Sequence, residues 1–316
     1  MYGYENYRKV KELIDKRRVD AISTAEQRNQ EVAIVSEDIL LIDKELRSTG
    51  LMLFKAACDG KDITPIRERN EALCRQRKST LKKLGYPEDY TEPKYTCTEC
   101  SDSGFVGTRM CRCMRELLIK ENIKSSGMGN LIEKQSFDNF SLDRYIGDEE
   151  TYKRMKSNFL AAKKFAENFG GAGKTMLFVG KTGTGKTHLS TAIAKAVIEA
   201  GFEVIYDSAQ NIVLAFENDK FRSGYGPYEP KADKYLECDL LILDDLGTEF
   251  TNQFTVSCLY NLINTRQNRG LATVISTNLS AKELSEKYED RIYSRIVGSD
   301  SKILFFGGKD QRLADK

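Results

Sequence analysis

Four short stretches of the chain carry residue types and spacings that could do chemistry. Gly180-Lys181-Thr182-Gly183-Thr184-Gly185-Lys186-Thr187 fits G-x-x-x-x-G-K-[ST] at every fixed position, with an apolar strand before it and a helical pattern after it. Glycines there let successive backbone N–H groups turn inward around phosphate oxygens, and a helix N-terminus adds its positive end. Lys186 then reaches the β- and γ-phosphates, and the Thr187 hydroxyl ligates Mg²⁺. A second stretch, residues 240–245, ends an apolar strand on adjacent carboxylates, Asp244 and Asp245. Successive strand side chains point to opposite sides. Asp244 fits the Mg²⁺-side acid, and Asp245 fits the group that orients or deprotonates an attacking water. Glu249 competes for the base role, and Asp245 could instead cap the following helix. Ser276-Thr277-Asn278 closes another strand. The Asn278 carboxamide could hold the lytic water or the γ-phosphate, although alone such a residue is an ordinary strand-end turn former.

The fourth stretch is Cys97-x₂-Cys100-x₁₀-Cys111-x-Cys113. Tetrahedral Zn²⁺ takes four thiolates, and the turn former Asp102-Ser103-Gly104 can fold the two pairs together. Unligated buried thiols and an iron–sulfur cluster are the competing readings. In so small a segment the metal would replace a missing core, which makes its role structural. Cys58, Cys74, Cys238 and Cys258 are scattered on apolar faces and read as packing residues.

The elements that must position these groups follow from periodicity. Strands are expected at 175–180, 203–208, 240–245, 272–278 and 302–306, with helical patterns between them and one helix at 186–200. That alternation implies an α/β fold with a parallel sheet covered on both faces. Residues 1–48 have sparse apolar positions at roughly helical spacing and read as long, partly exposed helices. A break is expected at Thr49-Gly50, before a short apolar segment at 51–58. Thr64 then reads as an N-cap followed by Pro65 at the first position of a helix reaching about Leu84. Residues 116–136 read as a helix followed by a Ser/Gly-containing connector.

Composition bounds the rest. At ~150 residues per domain, 316 residues give about two domains. Lys+Arg, 49, exceed Asp+Glu, 47, by two, too little to announce a nucleic-acid partner by itself. With His188 as the only histidine, a multi-histidine metal site is excluded. His188 itself is left without a role. No stretch nears the ~20 apolar residues of a membrane helix, and no signal-peptide pattern opens the chain, so the expected address is cytoplasmic with no membrane partner.

The phosphate loop, the run LLILDDLGTE, the STN strand end and the later RIYSRI occur in this order and resemble the AAA+ ATPases. Within them the chain is similar to the DnaC/DnaI helicase loaders and to the IstB transposition helper ATPases, closely over 137–316 and over the cysteine module. The resemblance implies an AAA+ P-loop core without a C-terminal lid, since only ~10 residues follow the last strand, and an N-terminal helical, zinc-bearing part. It divides the chain into a helical partner-binding region, 1–94; a four-cysteine zinc module, 95–115; a linker, 116–136; and an AAA+ domain, 137–316. It makes Arg295 an arginine finger in a neighbour's ATP site, Arg291 its auxiliary and Arg312 a second γ-phosphate sensor. Residues 309–311 depart from the usual closing motif. The implied cofactors are ATP, Mg²⁺ and structural Zn²⁺. The implied partners are a replicative hexameric helicase of the DnaB type, single-stranded DNA, and further copies of the chain through the ATP site.

Lys220, Phe221, Arg222 and Tyr225 interleave cations with aromatic rings, as single-strand binders do, with phosphates on cations and bases on rings. A mobile polar loop is the plainer reading. Between 61 and 83, basic residues outnumber acidic ones eight to three, which reads as a solvated face or as a contact to helicase or DNA. Competing functions are a transposition helper, a small-molecule P-loop kinase and a nucleotide-gated adaptor with little turnover. A kinase would need neither Asn278, nor Arg295, nor a zinc module.

Overall fold

The structure is a computed structural model that describes residues 3–170, 173–221, 230–298 and 301–311. Its contacts divide the chain into two compact units, Lys11–Met114 and Met1–Val10 with Arg115–Lys316.

The Lys11–Met114 unit is helical. Most of α1 (Tyr4–Val35) lies in it, with α2 (Glu37–Cys58) and α3 (Thr64–Lys83). Ser36 opens α2, its hydroxyl accepting the Ile39 N–H. The expected break at Thr49-Gly50 does not occur, and α2 runs through it. Glycine there costs about 1 kcal/mol of helix propensity. Packing against α3 outweighs that cost, because the buried Thr49 hydroxyl donates to the Leu46 carbonyl and accepts from Asn70. Thr64 is the first helical residue rather than the cap, and Asp62 accepts its N–H at 2.9 Å. Val32, Ile39 and Leu81 form an apolar centre with Tyr86 and Tyr90 against it. Beside it Arg77 bonds Asp43, Thr91 and Asn29, tying α3 to α2, to the following loop and to α1. Part of the basic excess between 61 and 83 therefore faces α2, where Arg69 also pairs with Glu45. After this bundle come a two-stranded hairpin, β1 (Phe105–Val106) with β2 (Arg109–Met110), and the start of α4 (Arg112–Ser125).

The other unit is a doubly wound α/β fold. The segment 116–136, expected as a linker, is built into it. After α4, Met128 and α5 (Leu131–Lys134), through Ile132, enter its core. Asn6, near the start of α1, is buried in the same unit and donates to Asn122 and Ser125. A 3₁₀ turn (Asp143–Tyr145) and α6 (Glu149–Glu167) follow. Then β3 (Thr175–Gly180), α7 (Lys186–Glu199), β4 (Val204–Ser208), α8 (Ala209–Phe221), α9 (Asp233–Glu237), β5 (Leu240–Leu246), α10 (Gln253–Asn268), β6 (Ala272–Thr277), α11 (Ala281–Val297) and β7 (Ser301–Phe306) complete the chain.

The five strands are parallel, in the order β4-β5-β6-β3-β7. Strand alternation feeds two separate cores. Met176 and Phe178 of β3 join the α6/α7 side, whereas Leu177 joins Ile275 and Leu243 on the α10/α11 side. Because β3 lies between β6 and β7, the winding reverses at its carboxyl end, where an open α/β sheet leaves a crevice. The glycine-rich turn, Asp244/Asp245 and Asn278 emerge from three adjacent strands, β3, β5 and β6, at that end.

Candidate functional site

The loop after β3 closes around Lys186. Gly185 caps α7 with φ +95°, and a side chain there would meet the Tyr145 hydroxyl, which donates to the Thr184 carbonyl at 3.1 Å. Burial pushes the Tyr145 phenol up to about 12, so it stays a donor. Lys186 is buried, and its ammonium donates to the carbonyls of Gly180 and Lys181 and to Asn278 Oδ1 at 2.7, 2.9 and 2.7 Å. The structure thus joins two residues 92 positions apart in sequence.

A cavity of about 550 Å³ opens at this point, lined by Thr182, Gly183, Gly185, Lys186, Thr187, Asp245 and Asn278 among others. A second, of about 310 Å³, is lined by Asn139, Phe140, Tyr145 and others, and shares Gln135, Arg144, Gly185, His188 and Gln311 with the first. The larger cavity has the size of a small-ligand site, with a cation, a carboxylate and a carboxamide converging. Lys181 and Thr184 belong to the loop: the Thr184 hydroxyl donates to the Lys181 carbonyl.

Asp244 is buried at the end of β5, with one carboxylate oxygen accepting from the Tyr206 phenol and the other from the Ser276 hydroxyl. Burial, then the Asp244 charge, holds the Tyr206 phenol far above its ordinary value, so it remains protonated and donating. Ser276 Oγ also accepts the Asp245 N–H at 2.9 Å, so one hydroxyl spans both acids. Asp245 has φ +53°, a left-handed conformation that aspartate tolerates better than most residues, and it reaches the cavity wall. Periodicity singled out neither Tyr206 nor Ser276, and strand register alone brings them to Asp244.

Glu249 does not line the cavity. Its side chain is 2% exposed, accepting the Gly247 N–H at 2.9 Å and the Tyr288 phenol, with Lys287 Nζ at 3.9 Å. Arg291 and Arg295 lie on α11, Arg291 exposed and Arg295 half-buried with its guanidinium 5.8 Å from the Tyr260 ring centre. Neither lines the cavity of its own chain. Arg312 lies outside the described residues, next to Gln311, whose N–H donates to the Gly183 carbonyl at 2.9 Å. His188 lines both cavities, its Nε2 at 3.0 Å from the Ser136 carbonyl and 2.9 Å from Asn139 Oδ1, and burial lowers its pKa.

The four module cysteines converge. Their sulfurs all lie within 4.8 Å of one another, with Cys97–Cys111 at 3.8 Å and Cys100–Cys113 at 3.6 Å. Four thiolates ~2.3 Å from one tetrahedral ion would sit about 3.8 Å apart, so the donor set and its spacing fit a metal ion. Buried Asp102, at φ +50°, accepts the N–H groups of Thr96 and Cys97 at 2.7 and 2.9 Å and shapes the first knuckle. Burial raises the Cys100 thiol, but the Gly104 backbone bond and the neighbouring thiols lower it further, to about 7.

Of the residues expected at DNA, Arg222 and Tyr225 lie outside the described residues. Lys220 and Phe221 are exposed at the end of α8, and Lys220 Nζ sits 5.4 Å from the Phe221 ring centre and 4.9 Å from that of Phe254 on α10. Phe254 was not expected there. Its spacing in α10 reads as an ordinary amphipathic position.

Residues 142–298 match the IstB-like ATP binding protein family. The matched segment is just under half of the chain. It contains the loop, Asp244, Asp245, Asn278 and both α11 arginines. The chain is also homologous to the replicative helicase loader DnaC of Escherichia coli (strain K12), 23% identical over 192 residues, 60% of this chain and 75% of that protein. The DnaC of Buchnera aphidicola subsp. Acyrthosiphon pisum is 24% identical over 203 residues, 62% and 79% of the two chains. Among solved structures, the DnaC helicase loader matches with TM-score 0.47 and 23% identity over 56% of this chain and 98% of that one. DnaI matches with TM-score 0.47 and 20% identity over 59% and 95%. No helix among the described residues is long and apolar enough to cross a membrane.

Proposed function

We propose that this protein is an ATP-hydrolysing loader that sets a replicative hexameric helicase of the DnaB type onto single-stranded DNA. The observation that carries the reading is the homology to the DnaC helicase loaders, taken with the Lys186–Asn278–Asp245 cavity inside the matched segment. ATP is the substrate. Its phosphates lie along 180–187, where Lys186 exchanges its carbonyl and Asn278 partners for β- and γ-oxygens and so releases the Asn278 carboxamide toward the γ-phosphate. Thr187 and Asp244 would hold Mg²⁺, which would supply neutralising charge to the triphosphate. Tyr206 and Ser276 fix the orientation of Asp244, and Asp245 orients the attacking water. Arg295 stabilises the transferring phosphoryl group in a neighbouring subunit, with Arg291 beside it and Arg312 as a sensor on its own nucleotide. Lys220, Phe221, Arg222, Tyr225 and Phe254 form the single-strand surface. Cys97, Cys100, Cys111 and Cys113 hold a structural Zn²⁺ within an N-terminal part that grips the helicase.

A transposition helper is the second reading, favoured by the family match itself. The test offers the full chain the host helicase and an IS21-type transposase in parallel, with and without ATP. Capture of the helicase together with ATPase activity stimulated by single-stranded DNA is expected. Capture of the transposase alone would replace the reading.

A further inference from the structure

Glu249 is a buried carboxylate beside a nucleotide site that it does not line. Its two oxygens face different elements: Oε2 accepts the Gly247 N–H at 2.9 Å in the loop after Asp245, and Oε1 accepts the Tyr288 phenol on α11. Lys287, the next residue back on α11, donates to the Gly247 carbonyl at 2.6 Å. The loop is therefore bolted to the helix by both peptide groups of Gly247. Lys287, Arg291 and Arg295 are spaced i, i+4, i+8 and so share one face of α11, next to the Tyr288, Ile292 and Ile296 stripe that enters the core.

The Asp245 backbone has anchors besides this clamp. Its N–H is on Ser276, its carbonyl accepts from the Thr248 N–H and hydroxyl, and the adjacent Leu246 carbonyl is on Thr277. Loss of the Glu249 carboxylate would therefore fall on α11 more than on Asp245. We propose that Glu249 is a positioning residue that locks α11 to the 245–249 loop, so that each subunit presents its arginine face to the neighbour's nucleotide only while its own loop is in place. The proposal rests on the reading of Arg295 as a finger acting between subunits.

Mixed-subunit ATPase assays test it. A reference mixture of Arg295→Ala with Asp245→Asn should recover activity, because one interface pairs an intact Arg295 with an intact Asp245. Glu249→Gln should bind ATP within about twofold of the native protein and hydrolyse it about tenfold more slowly. It should recover when mixed with Asp245→Asn and stay low with Arg295→Ala, the pattern of a finger defect. Tyr288→Phe, which keeps the buried ring, should show the same pattern more weakly and serves if Glu249→Gln melts early. Recovery with Arg295→Ala, recovery with neither partner, or undiminished hydrolysis overturns the proposal and, in the first case, restores Glu249 as a base. A dead reference mixture instead refutes the finger reading, and the proposal falls with it.

Discussion

The nucleotide site and the cysteine cluster are assembled in opposite ways. The first gathers residues from across more than 90 positions, and Lys186 meets Asn278 because β3 and β6 are neighbours in a sheet with two apolar cores. The second gathers four thiols within 17 residues, from the turn before a two-stranded hairpin, the residue just after it and the first turn of α4. A core of that kind pre-forms its site without ligand. So short a segment has too little core to do so, and on the proposed reading its geometry comes from the metal its sulfurs hold. Loss of ligand should therefore leave the first site standing and dismantle the second.

Metal removal should give the largest effect. Structural zinc in small modules contributes ~10–16 kcal/mol of apparent binding free energy. The purified chain should contain about one Zn²⁺, lost in both Cys97→Ser and Cys111→Ser, with backbone amides of 95–114 losing hydrogen-exchange protection. ATP affinity in the same preparation should change less than about twofold. A metal-free chain with unchanged protection at 95–114 would erase the contrast. Lys186→Ala comes next. Bonds from a charged donor are worth ~1.5–3 kcal/mol each, so losing two phosphate contacts should weaken ATP binding by about 10²-fold or more, while the melting temperature without nucleotide stays close to native. Calorimetric titration reads the first, and equal affinity would remove the loop from the account.

Smaller effects belong to surfaces that neither sheet nor metal builds. Phe221→Ala and Phe254→Ala should each weaken single-stranded DNA binding by about 5- to 100-fold, from ~1–3 kcal/mol per stacked base, and binding should fall with salt. Unchanged affinity in both would move DNA elsewhere. The smallest effect is that of His188, whose pKa burial lowers from 6.5. The unfolded chain then binds more protons than the folded one below the ordinary histidine value. The His188 contribution is thus present above pH 6.5 and is lost as pH falls from there through the lowered folded value. His188→Gln should flatten the stability profile in that window, measured by urea unfolding, and an unaltered profile would show that the ring titrates normally.

What could be read from sequence follows the same division. The phosphate loop, the strands and the cysteine spacing were legible because each is a local pattern. Tyr206, Ser276 and Phe254 were not, since their partners lie on other elements and only register and helix packing join them. Glu249 passed for a base because proximity along the chain says nothing of direction: the side chain turns to Tyr288, away from the cavity. The unbroken α2 shows tertiary packing overriding a weak local signal at Gly50.

The most direct test of the loader reading uses circular single-stranded DNA, which offers a closed helicase ring no end to thread. The helicase from the same host is incubated with the circle, the full chain and ATP, and helicase retained on DNA after a high-salt wash is quantified. Retention should require both the chain and ATP and should disappear with Lys186→Ala. Equal retention without the chain, or with Lys186→Ala in its place, would contradict ATP-dependent loading by this protein.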